Sequence, residues 1–126
     1  MPGTASIRVL LVDDEELICR TLQRLLKTQT RFELHTASTY VEALDVFRRE
    51  GPFELLLTDL RLHEMTGLEL AKRFAQKAPS LRVVFMSGDI PRDAAARYLT
   101  IEKPFDRDDL LMALEQALLS PVSKFE

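Results

Sequence analysis

The sequence predicts a single α/β domain in which five parallel strands form a doubly wound sheet with helices on both faces. Short apolar runs alternate along the chain with segments whose apolar residues recur every three to four positions, so strands and helices alternate. The connections are short, and strands that are apolar throughout are typical of a parallel sheet covered on both sides. A length of 126 residues fits one such domain.

Five apolar segments are the predicted strands. The first carries β-branched residues at three positions, the third and fourth are apolar nearly throughout, and the fifth has the weakest pattern. Right-handed crossovers between parallel strands leave few topologies, of which the doubly wound sheet is the simplest. In order, the predicted strands are residues 7–12, 32–37, 54–58, 81–86 and 98–102.

Five segments that follow these strands are the predicted helices. The first has an apolar face and two glutamates where the positive end of the helix dipole favours acid. Thr39 and Thr66 each precede a glutamate by three residues, the spacing of a capping box, and Asp106 suits an N-cap. Pro91 suits the first turn of a short helix. The predicted helices extend over residues 15–27, 39–50, 66–77, 91–97 and 106–120.

The composition restricts the class of protein. Its formal net charge of −3 at pH 7 argues against a nucleic-acid-binding domain, which usually has a basic excess. No apolar run approaches the roughly 20 residues that span a bilayer, and the N-terminus lacks the pattern of a signal peptide. The only cysteine, Cys19, cannot form an internal disulfide, which favours a reducing compartment and a cytoplasmic location.

Polar residues follow the strands at the edge where ligands bind in doubly wound folds. Each of them alone also fits a helix cap, a turn or a solvated surface position. Because the carboxyl ends of parallel strands meet at one edge, we expect these side chains to converge on one site. They are Asp13 and Asp14 after the first strand, Asp59 after the third, Ser87 after the fourth and Lys103 after the fifth.

This set of residues predicts phosphoryl transfer to an aspartate. Two carboxylates about 4 Å apart repel each other by about 4 kcal/mol at an effective dielectric near 20, so raised pKa values, a cation, or both have to compensate. Magnesium prefers oxygen ligands and binds through one or two carboxylates plus phosphate oxygens, and Mn²⁺ is an alternative. Lys103 adds positive charge, and Ser87 can donate a hydrogen bond to a phosphoryl oxygen. Asp59 can accept the phosphoryl group covalently.

Five short motifs, in this order, resemble the receiver domain of the bacterial two-component response-regulator family. The resemblance implies a flavodoxin-like fold with strand order 2-1-3-4-5. It also implies an N-terminal extension over residues 1–6, a receiver domain over 7–119 and a loose C-terminal tail over 120–126. The motifs are Val12-Asp13-Asp14-Glu15, Thr58-Asp59-Leu60, Met65-Thr66-Gly67, Met86-Ser87-Gly88 and Lys103-Pro104-Phe105.

The resemblance also implies how phosphate and metal bind. Asp59 would take a phosphoryl group from a phosphohistidine on a histidine kinase or a histidine phosphotransfer domain. Asp14 would bind Mg²⁺ directly, and Asp13 would do so mostly through water. The backbone carbonyl of Arg61 would supply a further ligand. The domain would catalyse only its own phosphorylation and dephosphorylation, and in that sense it would not be an enzyme.

The remaining implied roles concern the switch. Ser87 would move towards the phosphoryl group and Lys103 would contact its oxygen, with the loops over residues 61–66 and 88–97 shifting in response. In this family the peptide bond between this lysine and Pro104 is often cis. The shift would change a protein-interaction surface for a downstream partner that the sequence does not name, and a homodimer is one form that such a contact takes.

The sequence departs from the family pattern at three places. Leu62-His63 stands where the family often has Met-Pro, and a lone loop histidine is more often neither a metal ligand nor a base. Thr100 occupies the position of the aromatic residue that reports activation, with Tyr98 two residues before it. Only fifteen residues separate Ser87 from Lys103, which predicts a shortened fourth helix and puts the usual output face in question.

The residues leave two other functions open. A receiver-like interaction domain without phosphotransfer would usually lack part of the acidic set, which is complete here. A phosphatase with an aspartate nucleophile usually has an Asp-x-Asp pattern after the first strand, where this chain has Asp13-Asp14-Glu15. We therefore predict a phosphorelay domain with no membrane or nucleic-acid partner, either a stand-alone regulator or the receiver part of a hybrid sensor kinase.

Overall fold

The computed structural model describes residues 6–122 and 125, and it contains the predicted parallel sheet in the order β2-β1-β3-β4-β5. The predicted fold class and strand order are therefore confirmed. Most of the predicted extension over residues 1–6, and residues 123, 124 and 126 of the predicted tail, lie outside the described residues. The strands are β1 (Ile7–Val12), β2 (Phe32–Ala37), β3 (Leu55–Asp59), β4 (Arg82–Ser87) and β5 (Leu99–Glu102).

Helices cover both faces of the sheet, as predicted. Side chains of α1 and α5 pack against one face, and side chains of α2 and α3 pack against the other. None of the helices in the described residues is long and apolar enough to cross a membrane. The helices are α1 (Glu16–Leu26), α2 (Tyr40–Glu50), α3 (Gly67–Lys77), α4 (Arg92–Arg97) and α5 (Arg107–Leu119).

The apolar character of the central strands follows from this two-sided cover. In β1, Val9 and Leu11 face the core formed with α1 and α5, whereas Leu10 and Val12 face the core formed with α2 and α3. All four are at most 1% exposed, because alternate side chains of a strand point to opposite faces. β1 pairs with both β2 and β3, so its end is fixed on two sides.

The predicted N-cap hydrogen bonds form, but the reciprocal half of the capping box predicted at Thr39 and at Thr66 is absent from the described contacts. The Thr39 hydroxyl accepts a hydrogen bond from the Glu42 N–H at 3.1 Å, as a capping box requires. The Glu42 carboxylate, however, accepts from the N–H of Ser38 at 2.7 Å and not from that of Thr39. At the start of α5, Asp106 and Asp109 form both halves of a capping box. These caps fix where the chain leaves the sheet and enters each helix.

The fourth helix is short, as predicted, and it has only six residues with no buried side chain among them. Phe85 of β4 is nevertheless fully buried. Its ring is covered by Tyr98 at a centroid distance of 5.3 Å and by Phe125 at 6.4 Å, and Tyr98 and Phe125 stack on each other. Phe125, a residue of the predicted C-terminal tail, therefore packs over the ring of Phe85.

The start of α3 lies directly against the end of β3. The Thr66 hydroxyl accepts from the Glu69 N–H at 3.1 Å, and the Gly67 N–H donates to the carbonyl oxygen of Leu60 at 2.8 Å. A Cβ atom on Gly67 would lie 2.0 Å from the carbonyl oxygen of Asp59. Position 67 therefore needs glycine because two backbone segments touch there.

Replacing this glycine tests the close approach. Gly67→Ala is expected to lower the free energy of unfolding by about 2 kcal/mol or more, since the added methyl group meets backbone that has to move. Gly88→Ala is the matched control, because nothing lies within 4 Å of a Cβ atom at that position. The control is expected to change stability by less than about 1 kcal/mol. Urea unfolding measures both, and equal stabilities would contradict the close approach.

Candidate functional site

Three carboxylates and one ammonium meet at the carboxyl edge of the sheet. The Nζ atom of Lys103, which follows β5, lies 2.7 Å from Oδ2 of Asp59 and 3.0 Å from Oδ2 of Asp13. A carboxylate oxygen of Glu15 lies 4.0 Å from the same nitrogen. Asp13 is fully buried, and Asp59 is 8% exposed. The structure thus brings together three of the residues that the sequence predicts for this site.

Backbone amides bind the second carboxylate oxygen of Asp13 and of Asp59. Oδ1 of Asp13 accepts from the Glu15 N–H at 2.8 Å, and Oδ1 of Asp59 accepts from the Arg61 N–H at 2.9 Å. In both cases the donor lies two residues after the aspartate, the arrangement of an Asx turn. Each carboxylate is therefore oriented with one oxygen towards its own loop and the other towards Lys103.

The charges of the site do not balance. Burial raises the pKa of Asp13, and the Glu15 amide and Lys103 only partly counteract this effect. Burial alone would lower the pKa of Lys103, but its hydrogen bonds with Asp59 and Asp13 raise it overall, so the ammonium stays charged. One cation thus faces three carboxylates, and the site favours a further cation.

The donor set suits a divalent cation that prefers oxygen. One carboxylate oxygen from each of Asp13, Glu15 and Asp59 lies within 4.8 Å of the others. Ligands of this kind are typical of Mg²⁺ or Mn²⁺ and atypical of zinc or copper. Glu15 is the member of this set to which the sequence analysis assigned no metal role. Its position directly after two aspartates was the available signal.

Asp14, the residue predicted to bind the metal directly, is not part of that group. Its Oδ2 atom accepts a hydrogen bond from the backbone N–H of His63 at 2.8 Å, and the His63 ring nitrogen Nδ1 lies 3.3 Å from the same oxygen. The backbone of Arg61 lies beside Asp59, as the predicted use of its carbonyl requires. The metal-ligand roles of Asp14 and Arg61 stay predictions.

Ser87 ends β4 and is 4% exposed. Its hydroxyl donates to the carbonyl oxygen of Asp89 at 3.1 Å and accepts from the Asp89 N–H at 3.2 Å. The Lys103 N–H donates to the Ser87 carbonyl at 2.8 Å, so the two residues are joined through the backbone. The peptide bond between Lys103 and Pro104 is cis, as the resemblance implies. Among the described residues, the Ser87 hydroxyl bonds to its own turn and not to Asp59.

Comparison with known proteins finds a family model, relatives and solved structures that match most of the chain. Residues 9–115 match the family model of the response regulator receiver domain. The chain is 35% identical over 127 residues to the response regulator receiver protein CpdR of Brucella abortus (strain 2308), and the match covers 90% of this chain and 98% of that protein. The signal receiver domain of an HD domain-containing protein from Pseudomonas fluorescens Pf-5 superimposes with a TM-score of 0.79 at 31% identity, covering 93% of this chain and 90% of that chain.

A second kind of relative is much longer than the matched region. The transcriptional regulatory protein ZraR of Klebsiella oxytoca is 33% identical over 118 residues, which is 89% of this chain. The match covers only 26% of that protein. The similarity therefore concerns one domain of ZraR and does not extend to the rest of its length.

Removing the ammonium tests the charge balance. Without divalent cations at pH 7, Lys103→Met is expected to lower the free energy of unfolding by about 3 kcal/mol, because it leaves buried carboxylates without their cation. The pKa of Asp13 then rises further in the folded state. The folded variant binds more protons than the unfolded chain, so the deficit should shrink as the pH falls towards 4.

Urea unfolding between pH 4 and pH 7 measures this pH dependence. The matched control is Lys77→Met, since Lys77 is an exposed residue in the last turn of α3. The control is expected to change stability by less than about 0.5 kcal/mol at every pH. A Lys103→Met deficit that stays constant over this pH range would contradict the account.

Proposed function

The chain belongs to the receiver-domain family of two-component response regulators, and we propose that Asp59 is its phosphoacceptor. The donor would be a phosphohistidine on a histidine kinase or a histidine phosphotransfer protein, and the reaction would require Mg²⁺. One observation carries the proposal: Asp59 ends a central strand within 2.7 Å of the Lys103 ammonium, beside two further carboxylates that suit a divalent cation.

The transfer exchanges one bond to phosphorus for another. An oxygen of the Asp59 carboxylate forms the new bond to phosphorus, the bond from the histidine nitrogen breaks, and the imidazole leaves with the electron pair. The Arg61 N–H holds Oδ1 of Asp59 in place and thereby orients the carboxylate for attack. The Lys103 ammonium already lies at Oδ2 of Asp59. From there it would contact an oxygen of the transferred phosphoryl group and stabilise its negative charge.

The chain offers a cation site beside the acceptor. Asp13, Glu15 and Asp59 are the residues that would hold Mg²⁺ or Mn²⁺, together with Asp14 and the Arg61 carbonyl if these turn towards it. The bound cation would neutralise charge on the phosphoryl oxygens. No further catalytic group is required for this chemistry, so the domain would catalyse only its own phosphorylation and dephosphorylation.

The output would be a change in a protein-interaction surface. Phosphorylation adds about −1.5 to −2 charge at Asp59, which attracts hydrogen-bond donors. If the Ser87 hydroxyl turns towards the phosphoryl group, it gives up both hydrogen bonds with Asp89. Because α4 follows this turn and has no buried side chain, its position is free to respond. The downstream partner would recognise this altered segment.

The cellular setting belongs to the same proposal. A histidine kinase or histidine phosphotransfer protein is the expected upstream partner, as for receiver domains in general. Cys19 is buried and free in the described structure, consistent with a reducing, cytoplasmic environment.

Acetyl phosphate tests the acceptor directly. Incubation with Mg²⁺ and acetyl phosphate is expected to add the mass of one phosphoryl group to the wild-type protein, as measured by intact-mass spectrometry. Asp59→Asn should abolish the gain, whereas Asp45→Asn, at an exposed position on α2, should retain it. Absence of the gain in wild type would favour a constitutive interaction domain, and an undiminished gain in Asp59→Asn would place the phosphate elsewhere.

A second variant separates chemistry from switching. Ser87→Ala removes both hydrogen bonds to Asp89 but no carboxylate, so it should still gain the phosphoryl mass. In wild type, phosphorylation is expected to increase amide hydrogen exchange in residues 88–97, and in Ser87→Ala this increase should be largely lost. An equal increase in both proteins would contradict the proposed role of the hydroxyl.

A further inference from the structure

His63 binds a carboxylate that the proposed function assigns to the metal. Its backbone N–H donates to Oδ2 of Asp14 at 2.8 Å, and Nδ1 of its ring lies 3.3 Å from the same atom. The Asp14 side chain is 17% exposed. Its carboxylate is absent from the group that Asp13, Glu15 and Asp59 form within 4.8 Å. Asp14 is therefore drawn towards the loop after β3 and away from the other carboxylates.

The loop that supplies this hydrogen bond is itself held in shape. Arg61 and Thr66 pair as an isolated antiparallel bridge, and the Leu62 N–H donates to the Met65 carbonyl at 3.2 Å. His63 lies at the turn between these pairs. The loop thus presents the His63 N–H from a closed backbone conformation and not from a free segment.

The backbone amide provides most of this interaction. The His63 side chain is 92% exposed, so solvent screens the contact between its ring and Asp14. A hydrogen bond from a backbone N–H to a carboxylate, by contrast, is charge-assisted. Proline at this position would have no N–H to donate, so the contact depends on the residue type at position 63.

We propose that His63 is a positioning residue that holds Asp14 away from the cation site, so that the cation has to displace this hydrogen bond. The inference rests on the proposed function, because it takes Asp14 as a ligand. Two consequences follow. The hydrogen bond weakens cation binding, and cation binding frees the loop over residues 61–66 from its contact with Asp14. The loop next to the phosphoacceptor therefore changes when the metal binds, before any phosphoryl group arrives.

Titration of the ¹⁵N-labelled protein with Mg²⁺ tests the proposal without measuring phosphorylation. The Glu15 amide, which donates to Asp13, reports occupancy of the site, and the His63 amide reports the hydrogen bond to Asp14. In wild type both resonances should shift with the same midpoint. A His63 amide that stays unchanged while the Glu15 amide saturates would overturn the inference and leave the cation site intact.

Two variants separate the backbone contribution from the ring. His63→Pro removes the N–H and should bind Mg²⁺ about two- to tenfold more tightly, the range expected for loss of one competing hydrogen bond. His63→Ala keeps the N–H and should stay within about twofold of wild type. An affinity of His63→Pro equal to or below that of wild type would overturn the inference.

The outcome in wild type distinguishes this inference from the proposed function. If the Glu15 amide does not respond to Mg²⁺ in wild type, the cation site of the proposed function is wrong, and this inference falls with it. If wild type binds Mg²⁺ but its His63 amide does not respond, or if His63→Pro binds Mg²⁺ no more tightly than wild type, only the inference is wrong. The amide of His63 in wild type provides a readout even if His63→Pro does not fold.

Discussion

The structure depends on one electrostatic constraint, the burial of two aspartates around a single ammonium. Asp13 directly follows β1 and Asp59 ends the adjacent strand β3, and Lys103, which follows β5, reaches both. A buried ion pair is costly to desolvate, and it is tolerated only where hydrogen bonds satisfy the remaining atoms. Here the amides of Glu15 and Arg61 supply those bonds. The loops after β1 and β3 are thus tied to the same charges that make the site reactive.

The same constraint explains why the fold suits phosphoryl transfer. Three carboxylates beside one ammonium leave excess negative charge, which a bound divalent cation would offset before a phosphoryl group, itself negative, approaches. The close approach of Gly67 to the Asp59 carbonyl restricts the backbone of this proposed acceptor, so its carboxylate has more freedom to adjust than its backbone. Positioning and electrostatics, which dominate phosphoryl transfer, are therefore both set by backbone geometry.

The sequence predicts those features that backbone topology determines. Alternating strands and helices require a parallel sheet, and parallel strands necessarily gather Asp13, Asp59 and Lys103 at one edge. The sequence does not predict the direction in which an individual side chain of a loop points. Asp14 turns towards His63, which lies 49 residues away along the chain, and Glu42 bonds to Ser38 and not to Thr39. In both cases the conformation of a loop or turn decides which backbone donor the carboxylate reaches.

Packing between segments that are distant in the chain cannot be predicted from the sequence for a related reason. The stacking of Tyr98 on Phe125 over Phe85 depends on how much sheet surface the short α4 leaves bare, which no local pattern encodes.

This aromatic cluster also bears on the proposed switch. Tyr98 directly follows α4, and its N–H donates to the Ala94 carbonyl, so a movement of α4 would be passed on to the aromatic cover over Phe85. The turn of Ser87 and Asp89 connects the site to the chain that enters α4, and each of its two hydrogen bonds stabilises it by only about 1 kcal/mol. In the proposed switch, a phosphoryl group that attracts the Ser87 hydroxyl would have to overcome only these two hydrogen bonds, whatever the length of α4.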